Sequence, residues 1–256
     1  MGVHPAGGGS APLLVLDFDG VICDSIEECW VSSWTAYHEL YLGRAPSSPP
    51  ADPAADARVR FRALRPYVRS GEDFVLIQQL VSRGASAGNQ AEFDREWERP
   101  GAPTRRKLKE LYYRARAALF DRDPEAWLAM NRIFPHVQAA LAGLSPRVSL
   151  YILSTKKPQF VSATLRANRL TVPEDHVLYS EQEPKLTTVE RLMRELPARQ
   201  AVFVEDQVDA LRANRNPGIR PFLATWGYVQ QEWLRDPGRG IELLDPEGFV
   251  RLLASL

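Results

Sequence analysis

The sequence predicts an α/β fold in which a parallel sheet is interrupted by a mainly helical insertion. Short apolar runs, typical of buried strands, occur at residues 13–16, 148–153, 177–179, 201–204 and 222–224. Segments with helical periodicity separate the later runs, and strands that alternate with helices favour a parallel sheet. The long stretch between the first two runs lacks this alternation, so we expect an insertion there.

The predicted domain boundaries follow from this change of pattern. We expect a core formed by residues 13–25 and 131–256, with the helical insertion over residues 26–130. Residues 1–12 are rich in Gly, Ala and Pro, which is typical of a disordered leader. A length of 256 residues suits one large domain or a core with an insertion.

Composition argues against several classes of protein. The 32 basic and 32 acidic residues balance, which disfavours a general nucleic-acid or membrane-surface binder. The apolar run at 13–16 is too short for a signal peptide or a membrane span, so we expect a cytoplasmic protein, either a monomer or a homodimer. Cys23 and Cys29 are expected to be buried thiols, without a disulfide between them.

Within the insertion, the spacing of apolar residues predicts helices. One carries a stripe from Ile26 to Tyr41, a second spans about residues 71–82, and a third begins at Thr104, a candidate N-cap. A Pro/Ser-rich break lies at 43–53. Residues 58–69 alternate between apolar and basic side chains, and this period of two favours a strand.

Two aspartates, Asp17 and Asp19, directly follow the first strand and precede Gly20, which lets the backbone turn sharply. In open α/β sheets, ligands bind at the carboxyl ends of the strands. Two adjacent carboxylates repel each other unless a cation or proton lies with them, so the pair predicts a hard metal ion, for which Mg²⁺ is the best match. An EF-hand loop is excluded because Val21 and Ile22 occupy its fifth and sixth positions. A sugar-nucleotide-binding Asp-x-Asp pair remains an alternative, although such a pair usually lies well inside its domain.

The segment from Asp17 to Ser25 resembles the first motif of the haloacid dehalogenase (HAD) superfamily. In that family the first Asp is a nucleophile that becomes phosphorylated, and the second is a general acid/base. The resemblance implies these roles for Asp17 and Asp19, and it implies that the Asp17 carboxylate and the Asp19 carbonyl hold the metal. It also implies a HAD-like, Rossmann-like core. An acid at position 19 favours phosphoryl chemistry, because family members that act on carbon–halogen bonds lack it.

Two further motifs of the family have counterparts downstream. Ser154 follows an apolar run in the place of the family's Ser or Thr, and Thr155 is a candidate substrate contact beside it. Either hydroxyl could instead cap the next helix. Lys185 resembles the family's lysine that balances the carboxylates and the phosphoryl group. The Pro that usually follows this lysine is absent here, and Lys156 and Lys157 remain alternatives.

The apolar run at 201–204 leads into acids and resembles the fourth motif, which supplies the remaining metal ligands. If the motif is aligned by the strand end, Asp206 is its first acid, but Ala210 then occupies the place of the second. If it is aligned by spacing, Glu205 pairs with Asp209. We expect Asp206 to be the direct ligand and Asp209 its support, with Glu205 as the rival ligand.

Together these motifs imply a Mg²⁺-dependent phosphomonoester hydrolase that acts on a small phosphorylated metabolite through an aspartyl-phosphate intermediate. A sugar phosphomutase with the same core chemistry and a non-catalytic phosphate-binding member remain alternatives. The insertion fits the family's helical cap, which selects the substrate. Arg65 and Arg69 in the insertion and Gly20 in the core are candidate substrate contacts, although a solvated basic face would also explain either arginine.

Overall fold

The computed structural model describes residues 11–43, 55–99, 101–181, 183–196 and 198–256. The described chain forms two compact units. The first, which we call the sheet unit, contains the described residues up to Asp24 together with Ile133–Leu256, and the second, the helical unit, is Ser25–Arg132. The predicted assignment of these parts as core and cap stays a prediction.

Two sequence predictions fall largely outside the described residues. Of the predicted leader over 1–12, only residues 11 and 12 are described. Of the predicted break over 43–53, only Gly43 is described, and it adopts a left-handed backbone conformation with φ of 69° at the end of a helix. A glycine is favoured at this position because it has no Cβ to clash there.

The sheet unit contains a six-stranded sheet in which every neighbouring pair of strands is parallel. The strands of the described chain are β1 (Leu13–Leu16), β2 (Cys23–Asp24), β3 (Arg132–Ile133), β4 (Ser149–Ser154), β5 (Val177–Tyr179), β6 (Ala201–Glu205), β7 (Ile219–Ala224) and β8 (Glu242–Leu244). The order across the sheet is β5-β4-β1-β6-β7-β8. The prediction of an α/β fold built on a parallel sheet is confirmed.

Strand β1 is buried along its whole length because apolar side chains cover both faces of the sheet. Leu14 and Leu16 belong to one hydrophobic core. Leu13 and Val15 belong to a second. Successive side chains of a strand point to opposite faces, so an unbroken apolar run is what a strand covered on both sides requires. Leu16 pairs with Ile152 of β4 and with Val204 of β6, so these three strands end side by side.

Two features of the sheet differ from the sequence prediction. Strand β7 begins at Ile219 rather than at residue 222, with Pro221 inside it. Its pairing with β8 starts only at Phe222, which places Pro221 where β7 has no neighbour on that side. Strand β8 was not predicted, because it is a short edge strand of which Leu243 is 45% exposed.

The helices of the sheet unit follow its strands. They are α7 (Pro135–Ala142), α8 (Pro158–Ala167), α9 (Lys185–Glu195), α10 (Val208–Arg212), α11 (Gln231–Arg235) and α12 (Pro246–Ala254), with a 3₁₀ turn at Glu174–His176. No helix in the described part of the chain combines the length and hydropathy that crossing a membrane requires.

The helical unit consists of helices α1 (Ile26–Leu42), α2 (Ala55–Leu64), α3 (Gly71–Ser82), α4 (Gln90–Glu98), α5 (Gly101–Arg122) and α6 (Pro124–Ala129), with a 3₁₀ turn at Arg65–Tyr67. The prediction of a strand over 58–69 is wrong. Phe61 and Leu64, three residues apart, are buried while Val59 is 67% exposed, which fits one face of a helix. Thr104 also does not cap its helix, because α5 already begins at Gly101.

A buried ion pair joins α1 to α5 inside the helical unit. The guanidinium of Arg116 donates to both carboxylate oxygens of Glu28, over 2.8 and 2.9 Å, and both side chains are almost completely inaccessible. The hydroxyl of Ser32 donates to the same carboxylate over 2.6 Å. Removal of one partner from such a pair lowers the stability of the fold, because the other partner is left as a buried charge that water cannot solvate.

We expect Arg116→Met to lower the free energy of unfolding by about 3–5 kcal/mol, because the Glu28 carboxylate remains buried without its partner. Arg114→Met is the matched control: its ion pair with Glu39 lies at the surface, where such pairs contribute about 0–1 kcal/mol. Urea denaturation followed by tryptophan fluorescence measures both. Equal losses in the two variants would show that the buried pair matters no more than a surface pair.

Candidate functional site

The end of β1 places Asp17 next to the end of β6. The backbone N–H of Asp17 donates to the carbonyl of Val204 over 3.0 Å, so the parallel pairing continues one residue beyond β1. Among the described residues, Asp17, Glu205 and Asp206 offer carboxylate oxygens that all lie within 4.8 Å of one another. All three side chains are buried. The acids predicted from two separate strand ends therefore meet in one cluster.

The clustering of these acids affects their ionisation. Burial and the negative charge of Glu205 raise the pKa of Asp17 to about 7, although the ammonium group of Lys185 acts in the opposite direction. A carboxyl group with this pKa is only partly ionised near neutral pH. Additional positive charge at the cluster would favour the ionised form of Asp17.

Lys185 lies between two of the acids. Its Nζ is 2.7 Å from Oδ1 of Asp17 and 2.6 Å from Oε2 of Glu205. Burial alone would lower the pKa of Lys185, but the two carboxylates raise it above its usual value. Lys185 is the first residue of α9 and follows Pro184, which is the N-cap residue of that helix. The predicted balancing lysine is thus brought to the carboxylates.

The two acids at the end of β6 have different surroundings. Glu205 accepts hydrogen bonds from the backbone N–H groups of Asp206 and Gln207 as well as from Lys185. Asp206 accepts one from the backbone N–H of Tyr228 over 2.8 Å, at Oδ2. Three protein donors therefore hold the Glu205 carboxylate in place. The Asp206 carboxylate is also part of the acidic cluster, and a backbone N–H holds its Oδ2.

Two glycines allow the backbone to approach Asp206. Gly20 has a φ of 91°, and a Cβ there would lie 1.9 Å from Oδ2 of Asp206. A Cβ on Gly227 would lie 2.5 Å from Cβ of Asp206 and 2.7 Å from the carbonyl oxygen of Gly20. The predicted turn at Gly20 is present, and its N–H donates to the carbonyl of Cys23 over 2.8 Å. No larger residue fits at either position without displacing the Asp206 carboxylate.

Asp19 and Ser154 lie beside residue 156. Nζ of Lys156 is 2.9 Å from Oδ1 of Asp19, and the lysine side chain is fully buried while Asp19 is partly exposed. The hydroxyl of Ser154 accepts a hydrogen bond from the backbone N–H of Lys156 over 3.0 Å. Thr155, between them in sequence, is half-buried. Lys185 rather than Lys156 therefore contacts Asp17, and the side chain of Lys157 is exposed.

Asp209 is not brought into the cluster. It lies in the first turn of α10, its side chain is 56% exposed, and its Oδ1 is 4.0 Å from Nη1 of Arg212, one helical turn away. The expectation that Asp209 supports Asp206 stays a prediction. Tyr228, which follows β7, provides that support through its backbone.

The two predicted arginine contacts lie in the helical unit. Arg65 is buried, and its guanidinium carbon lies 5.1 Å from the centre of the Phe74 ring. Arg69 forms an ion pair with Asp94 over 2.7 Å, with both side chains about half exposed. Their roles in substrate binding stay predictions.

Sequence reasoning missed the loop after β7. The hydroxyl of Tyr228 donates to Asp24 over 2.7 Å, and the indole N–H of Trp226 donates to the carbonyl of Val21 over 3.0 Å. Both contacts hold this loop against the turn that follows Asp19. The sequence did contain one indication of this loop. Gly227 follows a strand that neighbours β6, and a glycine at such an edge of a sheet often marks a place where two backbone segments approach closely.

The donor set fits a hard divalent cation. Counted as ionised, the carboxylates of the site outnumber its ammonium groups by two; the groups are Asp17, Asp19, Glu205 and Asp206 against Lys156 and Lys185. Oxygen ligands with an excess of negative charge suit such an ion, and softer metals would favour thiolate or imidazole.

We expect Gly20→Ala to abolish the rise in Tm that a divalent cation produces, because the new methyl group would overlap the Asp206 carboxylate. Gly240→Ala is the control: its φ is 79°, but no described heavy atom lies within 4 Å of the added Cβ. Thermal unfolding with and without Mg²⁺ measures both variants. Loss of the response in both would point to backbone strain rather than to the overlap.

The chain matches no family model and no curated protein, but solved structures resemble it over nearly its whole length. A predicted phosphoglycolate phosphatase from Haemophilus somnus 129pt aligns with 96% of this chain and 99% of its own, at a TM-score of 0.61 and 14% identity. A predicted phosphatase from Clostridium acetobutylicum aligns over 96% and 99%, at a TM-score of 0.58 and 13% identity.

A third similar solved structure is described as a member of the HAD superfamily. A HAD-superfamily hydrolase of subfamily IA, variant 1, from Geobacter sulfurreducens PCA aligns over 97% of this chain and 99% of its own, with a TM-score of 0.54 and 16% identity. Together with the six-stranded parallel sheet, these similarities confirm at the level of fold the resemblance seen in the motifs. The chain has the fold of the haloacid dehalogenase superfamily.

Proposed function

We propose that this protein is a phosphatase that hydrolyses a small phosphomonoester through an aspartyl-phosphate at Asp17, with Mg²⁺ as cofactor. The observation that carries the proposal is the position of Asp17 next to Lys185 and to the acids at the end of β6. A carboxylate can attack phosphorus when nearby positive charge neutralises the phosphoryl oxygens. The similarity to structures described as phosphatases supports this choice over other reactions.

In the first step, a carboxylate oxygen of Asp17 forms a bond to phosphorus as the bond from phosphorus to the ester oxygen breaks. Asp19 donates a proton to that departing oxygen, so the alcohol leaves neutral. In the second step, Asp19 removes a proton from a water molecule, which attacks phosphorus and displaces the Asp17 carboxylate. The products are an alcohol and inorganic phosphate, and Asp17 and Asp19 return to their starting states.

The other residues of the site stabilise charge and orientation. Lys185 attracts the phosphoryl oxygens while it remains next to Asp17. The hydroxyl of Ser154, at the end of β4, is a donor for a phosphoryl oxygen. Both groups come from ordered elements, which reduces the reorganisation needed when charge develops.

The Asp17 carboxylate, the backbone carbonyl of Asp19 and the Asp206 carboxylate are the groups that would hold Mg²⁺, with Glu205 adjacent to them. Mg²⁺ prefers oxygen ligands and usually keeps several waters, so few protein carboxylates suffice. When bound, the ion would neutralise negative charge on the transferring phosphoryl group. The cytoplasmic location and the monomeric or homodimeric state stay predictions.

The proposal is tested by turnover of a panel of phosphomonoesters with Mg²⁺ present. We expect free phosphate to be released. Conversion of a sugar phosphate into its isomer without release of phosphate would instead identify a phosphomutase. Binding of phosphate esters without any turnover would contradict an enzymatic role.

We expect Asp17→Asn to reduce phosphate release by at least about 10⁴-fold, because the amide is a far weaker nucleophile than the carboxylate. Asp175→Asn is the matched control and should keep wild-type activity, since Asp175 is exposed and not part of the cluster. Circular dichroism checks that both variants fold. Steady-state turnover by pure Asp17→Asn protein would exclude Asp17 as the nucleophile.

We expect Asp206→Asn to raise the Mg²⁺ concentration needed for half-maximal activity by at least about tenfold, because it removes a charged ligand. Glu205→Gln should raise it less, since the Glu205 carboxylate is already held by Lys185 and two backbone N–H groups. Mg²⁺ titrations of activity compare the two. The reverse order would assign the principal ligand role to Glu205.

A further inference from the structure

Lys156 is a buried lysine to which the proposed phosphatase mechanism assigns no role. Its side chain is fully inaccessible to solvent, and its Nζ lies 2.9 Å from Oδ1 of Asp19. Burial of an ammonium group is costly unless a partner carries the opposite charge. Asp19 supplies that charge in its ionised form, which is the form that accepts a proton from water in the second step, and it is itself partly exposed. The contact therefore joins a rigid buried group to an accessible acid.

The backbone and the surroundings of Lys156 fix the position of its ammonium group. Its backbone N–H donates to the hydroxyl of Ser154, so the residue is tied to the end of β4. Its Nζ lies 5.4 Å from the centre of the Phe18 ring, within the range of a cation–π contact. Phe18 is completely buried and lies between the two aspartates in sequence. Lys156 thus has a defined position relative to Asp19.

The two lysines of the site contact different acids. Lys185 contacts Asp17 and Glu205. Lys156 contacts Asp19, across 137 residues of sequence. A lysine that served only to balance the charge of the nucleophile would be expected at Asp17, where Lys185 already lies. The position of Lys156 indicates a role that depends on Asp19.

We propose that Lys156 is a positioning residue: by holding Oδ1 of Asp19, it orients the carboxyl group toward the oxygen of the departing alcohol. The inference rests on the proposed phosphatase function, in which Asp19 exchanges a proton with that oxygen. Lys156 itself transfers no proton: it holds Oδ1, and the proton moves through the other carboxyl oxygen of Asp19. A carboxyl group fixed in one orientation transfers a proton more efficiently than one that samples several.

The test compares phosphate esters with poor and good leaving groups. A nitrophenolate departs readily without a proton, whereas an alkoxide requires one, so a misdirected Asp19 should slow alkyl esters selectively. We expect Lys156→Met to lower kcat/KM for an alkyl phosphate by at least about tenfold more than for 4-nitrophenyl phosphate. General acid–base groups contribute roughly 10²–10⁴-fold to the rate, and loss of the orientation of Asp19 should remove part of that contribution. Lys107→Met, at an exposed lysine of α5, is the control and should leave both values unchanged.

A double variant separates positioning of Asp19 from other roles. If Lys156 acts through Asp19, then Asp19→Asn combined with Lys156→Met should be no slower on the alkyl ester than Asp19→Asn alone. Lys156→Arg keeps the positive charge but places its donors differently, so it should also lose activity selectively on the alkyl ester. If the Lys156→Met protein does not fold, the comparison is made with Lys156→Arg instead.

Three results would overturn the inference. Equal losses for both esters would show that Lys156 binds phosphate or only supports the fold. Additive losses in the double variant would show that it acts independently of Asp19. A wild-type protein that releases no phosphate from any ester would refute the proposed function and this inference with it, whereas an active wild type with an unselective Lys156 variant refutes the inference alone.

Discussion

Repulsion among buried carboxylates is the constraint on which the rest of the site depends. Asp17, Glu205 and Asp206 are buried with oxygens within 4.8 Å of one another. Such a cluster is unstable unless cations or protons lie with it. Lys185 provides one positive charge between two of these acids, and the excess of negative charge that remains makes the site suitable for a divalent ion. The same positive charges would attract a phosphoryl group.

The order of the sheet explains how distant residues form this cluster. Strands β4, β1, β6 and β7 are consecutive neighbours, and their parallel direction brings their carboxyl ends to one edge. The loop after β7 completes the site, because the Tyr228 N–H holds Asp206 while Gly227 lets the backbone pass close to it. Backbone N–H groups from adjacent strands and loops therefore help to position the acids, together with the Lys185 side chain.

Residues that end apolar strands could be predicted from sequence, and residues whose role depends on tertiary contacts could not. The runs at β1 and β6 are fully buried, so their patterns located Asp17 and the acids at 205 and 206. Lys185 followed only from its order among the motifs. The partner of Lys156 lies 137 residues away, and no local pattern encodes that contact. The exposure of Asp209 could not be predicted either, because spacing alone does not show which way a side chain on a short helix points.

The prediction of a strand at 58–69 was wrong for a related reason. Apolar residues that alternate with arginines suggest a period of two, but burial of Phe61 and Leu64 on one face of α2 outweighed that pattern. In α/β proteins the buried strands are long apolar runs, whereas helices of a separate unit bury only part of their surface. The sheet was therefore easier to predict than the helical unit.

The measurement that tests the central claim most directly is chemical trapping of the covalent intermediate. The protein is incubated with a phosphomonoester and Mg²⁺, quenched in acid, and treated with borohydride, which reduces an acyl phosphate to an alcohol. Peptide mass spectrometry then locates the reduced residue. The account predicts that Asp17 is converted to homoserine only when substrate is present. Phosphate release without reduction at Asp17, or with reduction at another carboxylate, would contradict it.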